Sequence, residues 1–401
     1  MVERPLRIGF LTPEYPTEAY NGGIGSYVRQ MAHALAELGH STFVLLSVPT
    51  GEGMTWDGPV PIHKVSVSGF ASRMPEPVGR GASLMFGQSL AKLANQLSLD
   101  LLEAPEFLGL TAFLNLVKPP RLRIVVRLHT CSSIVRHLNK TKPASLKEHF
   151  QWKLRDRLEK RSILTADAVT AVSSAIVEET RRALGLTRSD FQVVPNSVND
   201  SAFSPAEGIK ETDSPMVLFI GRLEWRKGPD LLIRALPNVL KRQPRLRLCL
   251  VGMDTFTAPA RTSMLSYLRA LLPSSALSNV NFRGHLAAPE VAQAMQEATV
   301  CVFPSRYEGL PMVCLEAMAG GKPIITTDIP GFRELISDGE TGLIARGEDP
   351  ESLASTLERL LADAPLRAKL GASAQEFARA RFRGAVVANS MVRVYRAALV
   401  T

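Results

Sequence analysis

The stretch from Phe303 to Thr326 reads FPSRYEGLPMVCLEAMAGGKPIIT and contains the end of one strand, a loop, a helix and the next strand. Its first apolar run ends before Pro304, and a polar loop follows. Strong helix formers then cover residues 310–319, and two glycines stop the helix. The next apolar run covers residues 323–326. This order predicts a helical crossover between two parallel strands.

Strand-length apolar runs alternate with helix-period segments along the rest of the chain as well. Among the predicted helices are residues 26–38 and 83–96. The predicted strands cover residues 7–11, 42–48, 63–67, 99–103, 124–128, 168–172, 192–194, 216–220, 246–251, 280–282, 300–303, 323–326 and 343–345. This alternation predicts an α/β fold of two doubly wound, Rossmann-like domains facing a central cleft, with ligands at the carboxyl ends of the strands.

The division into domains follows from length and from one change of composition. A chain of 401 residues is too long for one ordinary core, and 45% apolar residues make it too apolar to be disordered. Residues 198–214, VNDSAFSPAEGIKETDS, combine turn formers and charges without periodicity, which is typical of a linker. We therefore predict an N-terminal domain over residues 1–197 and a C-terminal domain over 215–383.

Targeting signals and cysteine spacing indicate the compartment. The N-terminus has no basic segment and no cleavage site, and no apolar run reaches the roughly 18 residues of a membrane span. We expect a soluble, cytoplasmic protein that begins near Met1. No Cys-x-x-Cys pair occurs, so we expect reduced, buried thiols. Cys131 as a nucleophile is the weaker alternative. The four cysteines are Cys131, Cys249, Cys301 and Cys314.

The net charge of +9 is concentrated in one segment. Residues 121–161 contain twelve Lys or Arg against three acids, a local excess of 12 − 3 = +9. Phe150, Leu154 and Leu158 repeat at helical spacing, which predicts an amphipathic helix with a cationic outer face. A solvated surface is as good an interpretation as attraction to anionic lipid on the inner membrane face or to a phosphorylated acceptor. A nucleic-acid partner is not expected, because the segment lacks interleaved aromatic residues.

Two glutamates in the opening stretch point to a ligand site. Glu308 lies where the predicted helix begins, and the free N–H groups and dipole at that end can take a phosphate. Glu316 is roughly two turns further on, and a carboxylate can accept from both hydroxyls of a ribose. For either glutamate alone, a helix cap or a surface position is the simpler interpretation. Their pairing within this string favours a ligand site.

A second cluster of charged residues lies in FIGRLEWRKGPDLL at residues 219–232. A strand ends at Gly221, Arg222 and Lys227 follow, and a helix begins near Pro229. Arg can donate to two phosphate oxygens and Lys adds a compact charge, so together they can stabilise a leaving diphosphate. As isolated residues they would be interpreted as surface cations.

The two strings together resemble the donor site of family 4 glycosyltransferases, which are retaining enzymes of the GT-B fold. The matching elements are E-x(7)-E with AMAGGKPII, PGFRELISDGETGLIA at residues 330–345, and GRL-x-x-x-KG. The resemblance implies that Glu308 contacts hydroxyls of the donor sugar and Glu316 contacts the ribose. It implies that Arg222 and Lys227 bind the diphosphate. It also assigns the acceptor to residues 1–197, the nucleotide sugar to residues 215–383, and a returning helix to residues 384–401.

The resemblance extends to further contacts with the donor. Glycine-loop residues Gly22, Gly23 and Gly25 would face the phosphates, His129 would contact the donor sugar, and the backbone at Leu286 would meet the base. Without the resemblance, a structural role for His129 is the better interpretation. Family members often have a glycine after the first glutamate, but Pro311 has no N–H. The remaining backbone donors there are Leu310, Met312 and Val313.

The predicted function is transfer of a hexose from a UDP- or GDP-linked sugar to a hydroxyl of an unidentified glycan, glycolipid or small metabolite. The chain has no Asp-x-Asp and no His/Cys cluster, so no metal and no other cofactor are expected. Two alternatives remain: a nucleotide-sugar epimerase of GT-B fold, and a non-catalytic protein that binds sugar nucleotides. A nicotinamide-dependent oxidoreductase is disfavoured because G-x-G-x-x-G is absent.

Overall fold

The computed structural model of the chain describes residues 4–18, 22–66, 83–139, 141–199 and 214–400. The chain forms two compact units. The first comprises Met1–Arg136, Lys142–Ser197 and Gly384–Thr401, and the second comprises His137–Thr141 and Val198–Arg383. The second unit is therefore inserted, in sequence, before the last helix of the first. Residues 200–213 of the predicted linker lie outside the described residues, as do Val67 and residues 19–21 of the glycine loop.

The first half of the chain alternates strands and helices. Side-chain caps explain several helix starts: Ser83 accepts from the N–H of Phe86, and Ser173 accepts from the N–H of Ile176. The elements are β1 (Arg7–Thr12), α1 (Gly23–Glu37), β2 (Ser41–Val48), β3 (Gly53–Asp57), β4 (Val60–Ser66), α2 (Leu84–Gln96), β5 (Leu101–Pro105), β6 (Arg123–Leu128), α3 (Ser132–Leu138), α4 (Leu146–Thr165), β7 (Ala168–Ala171), α5 (Ser174–Leu184) and β8 (Phe191–Val193).

The sheet of the first unit has the order β3-β4-β2-β1-β5-β6-β7-β8. All neighbours are parallel except β3 and β4, which form an antiparallel pair. One face packs Ile8 and Phe10 of β1 against Met31 and Leu35 of α1. The last helix adds Met391 to the same core. Burial of these apolar side chains is the main stabilising term of the unit.

The second half of the chain continues the alternation and ends in three consecutive helices. Proline occupies the first turn of several of its helices, where its missing N–H has no cost. The elements are β9 (Met216–Ile220), α6 (Pro229–Arg242), β10 (Arg247–Val251), α7 (Met264–Leu271), β11 (Val280–Gly284), α8 (Ala288–Glu297), β12 (Val300–Phe303), α9 (Met312–Ala319), β13 (Ile324–Thr327), α10 (Pro330–Arg333), β14 (Leu343–Ala345), α11 (Pro350–Ala362), α12 (Ala364–Phe382) and α13 (Gly384–Val400).

The sheet of the second unit is wholly parallel and has the order β11-β10-β9-β12-β13-β14. From β9 the chain proceeds to β10 and β11 on one side. It then returns to place β12 on the other side of β9. Such a reversal of strand order opens a crevice at the carboxyl ends of the two central strands, where ligands of this class of fold bind. The loops after β9 and β12 therefore define the candidate site.

The predicted α/β fold with two parallel sheets is confirmed, and every predicted strand overlaps an observed one. The strand predicted at residues 99–103 is displaced to Leu101–Pro105, because Ser98 adopts a positive φ and the preceding turn extends further. Strand β3 was not predicted. Helix α9 begins at Met312 and not at residue 310, because Pro311 is extended.

The basic segment corrects one further expectation. Helix α4 is present, and Leu158 is buried as expected. Phe150, by contrast, is 63% exposed, so it does not belong to the buried face of the helix. The cationic surface therefore also presents an aromatic side chain. Among the described residues, no helix combines the length and the apolar character that a membrane span needs.

Candidate functional site

The loops after β9 and β12 touch each other at the strand reversal of the second unit. Gly228 adopts a left-handed conformation with φ of +66°, and a Cβ atom there would lie 2.0 Å from the carbonyl oxygen of Pro304. Only glycine fits this position, because any other residue would push the two loops apart. The contact brings the charged residues after β9 beside those after β12.

Glu308 accepts three side-chain hydrogen bonds at the centre of this contact. Its carboxylate lies 2.5 Å from Nζ of Lys227, 3.2 Å from Nη1 of Arg226 and 2.8 Å from Oγ of Ser305. Only 5% of the residue is exposed. Burial alone would raise the pKa of Glu308, but Lys227 and Arg226 outweigh burial and lower it. Glu308 is therefore an ionised acceptor at neutral pH.

Glu224 is a second buried carboxylate between cations. It forms ion pairs with Nη2 of Arg222 at 3.0 Å and with Nη2 of Arg226 at 3.4 Å. Burial favours a raised pKa for Glu224, but Arg226 and Arg222 outweigh it and lower the pKa. The side chain of Arg222 is 45% exposed, so its guanidinium can still reach a ligand. Three cations and two carboxylates leave this cluster with a net charge of 3 − 2 = +1.

Arg306 fastens the loop of Glu308 to its surroundings. Its guanidinium donates to both oxygens of Asp230, at 2.7 and 2.8 Å, and to Glu348 at 2.5 Å. It also stacks over the ring of Trp225, 4.2 Å from the centroid. Such a bidentate and stacked arrangement requires Arg, because Lys lacks the planar fork. The loop is thereby tied to the first turn of α6.

The chain after β13 also packs directly on Glu308. A Cβ atom on Gly331 would lie 2.1 Å from the carbonyl oxygen of Glu308. Gly331 belongs to α10, the short helix within the PGFRE string. A glycine is needed here for close approach of backbones. The position of Glu308 therefore depends on contacts from three separate loops.

Helix α9 points its N-terminus at the same loop. Pro311 precedes the helix, and no side chain caps it. Met312 and Val313 are the first two helical residues, and helix geometry leaves their N–H groups without an intrahelical acceptor. The predicted donor Leu310 is buried. The two N–H groups and the helix dipole suit an anionic oxygen.

Glu316 lies in the middle of α9. It is partly buried, and within the described ranges its carboxylate has neither a hydrogen bond nor an ion pair. Burial raises the pKa of Glu316 to about 7. A carboxyl group without a partner, next to the candidate site, can accept from ligand hydroxyls at no cost to an existing contact. Leu286, the predicted base contact, lies two residues after the end of β11 and is half-buried.

Two described residues of the glycine loop, Gly22 and Gly25, lie against an acidic side chain. The N–H of Gly25 donates to Oε1 of Glu14 at 3.0 Å. A Cβ atom on Gly22 would lie 2.6 Å from the same carboxylate, whereas one on Gly23 would meet nothing within 4 Å. Gly22 and Gly25 therefore make room for Glu14, whereas Gly23 has open space beside it at the start of α1.

His129 follows β6, as predicted, and its ring packs edge-on against Tyr27 at 5.2 Å between centroids. Burial, aided by Arg127, lowers the pKa of His129 well below its usual range, so the imidazole is neutral. Its backbone N–H donates to both carboxylate oxygens of Glu106, each at 3.0 Å. The four cysteines are buried free thiols, and burial raises the pKa of Cys131 to about 12, which disfavours a nucleophilic thiolate.

Sequence reasoning missed three members of the cluster: Glu224, Arg226 and Ser305. The alternating charges of RLEWRK, four residues out of six, were the available signal for the first two. Ser305 had no signal, because its contact with Glu308 depends on loop geometry. In the described part of the chain, no group of three or more His, Cys, Asp or Glu side chains is arranged to hold a metal ion.

Two family models match this chain. The model described as "Glycosyltransferase Family 4" matches residues 21–202, and the model described as "Glycosyl transferases group 1" matches residues 200–377. A curated relative, D-inositol 3-phosphate glycosyltransferase of Frankia alni, is 36% identical over 50% of this chain and 49% of its own. The chain spans about half the length of the curated relatives that it matches first.

Two solved structures resemble the whole chain. Sucrose-phosphate synthase from Thermosynechococcus elongatus has a TM-score of 0.78 at 23% identity and covers 98% of both chains. Anabaena Alr3699/HepE in complex with UDP-glucose has a TM-score of 0.72 at 20% identity, and covers 98% of this chain and 100% of that one. At these identities the likeness concerns the fold. Together the two family models match residues 21–377 and show that the chain belongs to the glycosyltransferases that they describe. The likeness to the solved structures shows that it has the GT-B fold.

Proposed function

We propose that this chain is a retaining glycosyltransferase that moves a hexose from a UDP- or GDP-linked sugar to a hydroxyl acceptor. The observation that carries the proposal is the contact of Lys227 and Arg226 with Glu308 at the strand reversal. There an ionised carboxylate, a net positive charge and the open start of α9 share one edge of the sheet. These are the groups that a sugar hydroxyl and a diphosphate require.

In this proposal, carboxylates of the site bind hydroxyl groups of the donor, and cations and backbone N–H groups bind its diphosphate. Glu308 accepts from hydroxyls of the donor sugar, and Glu316 accepts from those of the ribose. Arg222, Lys227 and the N–H groups of Met312 and Val313 bind the diphosphate. Charge develops on the diphosphate as it leaves, and donors already in place stabilise that charge without reorganisation.

The transfer itself is proposed as a front-face substitution. The acceptor oxygen bonds to the anomeric carbon on the face from which the diphosphate departs, so configuration is retained. The bond between the anomeric carbon and the phosphate oxygen breaks, and the acceptor proton goes to the leaving phosphate. The cations of the cluster carry the charge stabilisation in this proposal, so we expect turnover to persist in EDTA.

UDP-glucose is the first donor to test, because one of the structural neighbours was solved with it. For the acceptor, the names of D-inositol 3-phosphate glycosyltransferase and sucrose-phosphate synthase suggest phosphorylated polyols and sugars as the first class to screen. Glycans and glycolipids form the second class. The hydroxyl of the acceptor is the reacting group in every case.

The test measures nucleoside diphosphate release and product formation with UDP-, GDP- and ADP-sugars, with and without acceptors. Lys227→Ala should lower donor affinity and turnover by at least about tenfold, because it removes a buried cation from the diphosphate site. Lys241→Ala, on the exposed end of α6, is the matched control and should act like wild type. If the donor sugar is isomerised and no sugar is transferred, the chain would be an epimerase. If the donor binds but is not turned over, the chain would be a non-catalytic protein that binds sugar nucleotides.

We further propose that α4 contacts an anionic membrane surface. Leu146 is 90% exposed and Phe150 is 63% exposed, and both lie on one helical stripe with the exposed cations Lys153 and Arg157. Apolar side chains beside cations, with no acid on the same stripe, are typical of interfacial helices. The enzyme would then meet acceptors at the membrane face.

Flotation with vesicles tests this surface. Wild type should float with phosphatidylcholine vesicles that contain phosphatidylglycerol, and less with phosphatidylcholine alone. Phe150→Ser and Lys153→Glu should reduce flotation several-fold, because one removes apolar contact and the other reverses a charge. Phe256→Ser changes a phenylalanine of the second unit that is 73% exposed, and serves as the control. The proposal would be contradicted if flotation did not depend on the charge of the lipid, or if Phe150→Ser floated like wild type.

A further inference from the structure

Two carboxyl groups are completely buried beside the loop that carries His129. Glu106 and Glu159 are both 0% exposed, and in the described part of the chain neither forms an ion pair with Lys or Arg. Burying an ionisable group without a counter-ion is costly, and such groups are concentrated at functional sites. The donor chemistry proposed above uses neither of them.

Glu106 holds the start of the loop. It directly follows β5, and β5 pairs with β6, the strand that His129 follows. Both carboxylate oxygens of Glu106 lie 3.0 Å from the backbone nitrogen of His129. The backbone N–H of Glu106 also donates to the carbonyl of Arg127, two residues before His129. Few degrees of freedom are left to the backbone of His129.

Glu159 holds the end of the same loop. This residue of α4 accepts from the backbone N–H of Ser132 at 3.0 Å and from the hydroxyl of Ser132. It also accepts from the N–H of Leu108 at 3.1 Å. Helix α4 can come this close because a Cβ atom on Gly109 would lie only 2.6 Å from Leu158.

We infer that Glu106 and Glu159 are positioning residues that clamp residues 129–132 at both ends and fix the imidazole of His129 against the donor sugar. This inference rests on the proposed function and on the contact between His129 and the donor sugar that the family resemblance implies. The clamp acts on the backbone of the loop, and neither carboxyl group touches the donor. A displacement of about 1 Å at a contacting group can cost about a hundredfold in rate, so a fixed loop has kinetic value.

The protonation of the clamp changes near neutral pH. Burial raises the pKa of Glu106 to about 8 and that of Glu159 to about 7. A protonated carboxyl group both donates and accepts, whereas a carboxylate only accepts, so the clamp gains acceptors as pH rises. The charged and titratable groups around the pair are Arg127, His129, Cys131, Arg155 and Asp156.

Kinetics and histidine NMR together test the clamp. Glu106→Ala should lower kcat at least about tenfold with donor KM within threefold, because the loop is released while the diphosphate site is intact. Wild-type kcat should show an inflection near pH 8, where Glu106 ionises. Glu106→Gln keeps an acceptor oxygen, so it should restore most of kcat at pH 6.5 and should lack that inflection. Glu178→Ala, an exposed acid on α5, should act like wild type.

The side-chain ¹⁵N signal of His129 reports on the clamp without turnover, and it should shift in Glu106→Ala. Glu159→Ala should shift the His129 signal as well, and this variant is used for the test if Glu106→Ala does not fold. An unshifted signal, or wild-type kcat and pH profile in both alanine variants, would overturn the inference. Wild-type protein that binds no sugar nucleotide and turns none over would overturn the proposed function instead, whatever the His129 signal shows.

Discussion

Lys227 and Glu308, separated by 81 residues in sequence, form an ion pair of 2.5 Å across two loops of the second unit. Arg226 shares the carboxylate of Glu308 and also pairs with Glu224. The ion pair explains how a positive site remains folded when no anion is bound. It also makes Glu308 important for stability as well as for the proposed chemistry.

Glu308→Gln should therefore destabilise the chain by about 3 kcal/mol, because Lys227 loses the carboxylate that it pairs with and Arg226 loses one of its two. Donor turnover should fall at least about a hundredfold, since the amide no longer balances Lys227 or accepts as a carboxylate. Urea denaturation and a donor assay measure the two effects. Glu340→Gln, at an exposed position of the same unit, is the control, and equal stability of the two variants would contradict the role given to the ion pair.

Gly331→Ala should displace Glu308 without changing any charge. The added methyl would lie 2.1 Å from the carbonyl oxygen of Glu308, which forces the loop to move. We expect a loss of about 1–3 kcal/mol in the free energy of unfolding and a clear loss of donor affinity. Gly347→Ala is matched to it, because its nearest heavy atom would be 3.9 Å away. If both variants bind the donor like wild type, the position of Glu308 does not depend on the close contact with Gly331.

Glu316 should make donor binding depend on pH. With a pKa raised to about 7, it ionises between about pH 6 and 8, and the ionised form is the better acceptor for ribose hydroxyls. Affinity for the nucleoside diphosphate should rise over that range in wild type and stay flat in Glu316→Gln. Calorimetric titration at several pH values measures the affinity of each protein. If affinity changes with pH in the same way in wild type and in Glu316→Gln, Glu316 does not bind the ribose hydroxyls.

The same group should affect stability with the opposite sign. Its folded pKa of about 7 lies above the ordinary value of 4.5, so protons bind more tightly to the folded chain than to the unfolded one. Its contribution to stability is complete below about pH 4.5 and is lost as pH rises through 7. The stability difference between wild type and Glu316→Gln should therefore move in favour of the variant over this window.

Tyr395→Phe tests the attachment of the last helix to the first unit. Its hydroxyl donates to Glu103 at 2.6 Å, and Tyr27 donates to the other oxygen at 2.7 Å. Removing one donor from a buried carboxylate should cost about 1–3 kcal/mol. Tyr267→Phe, whose hydroxyl lies at the surface, should cost much less. Chemical denaturation, followed by a signal from the first unit, compares the free energies of unfolding of the two variants.

The sequence predicted strands such as β9 and β12 well because each is an uninterrupted apolar run that both faces of a parallel sheet bury. It did not predict β3, since residues 53–57 are mostly exposed and carry little apolar signal. The Asp57-Gly58 pair before β4 is a hairpin signal that would have indicated it. Gly58 indeed has a positive φ there.

The candidate site was predictable where residue type alone carries the chemistry, as for Arg222 and Glu308. It was not predictable where chemistry depends on partners distant in sequence. Glu106 and Glu159 are 53 residues apart, and each resembles an ordinary helix or loop acid until its burial is known. The exposure of Phe150 is the converse case, because helical spacing alone cannot say which stripe faces the core.

The order in which the two units can be completed during synthesis follows from the position of α13. The first unit starts before the second in sequence but buries Met391 and Tyr395 in its core, so it stays incomplete until α13 emerges. The second unit is fully synthesised before them. We therefore expect the nascent chain to complete its second unit first, while the unit that was started earlier waits with an uncovered apolar face.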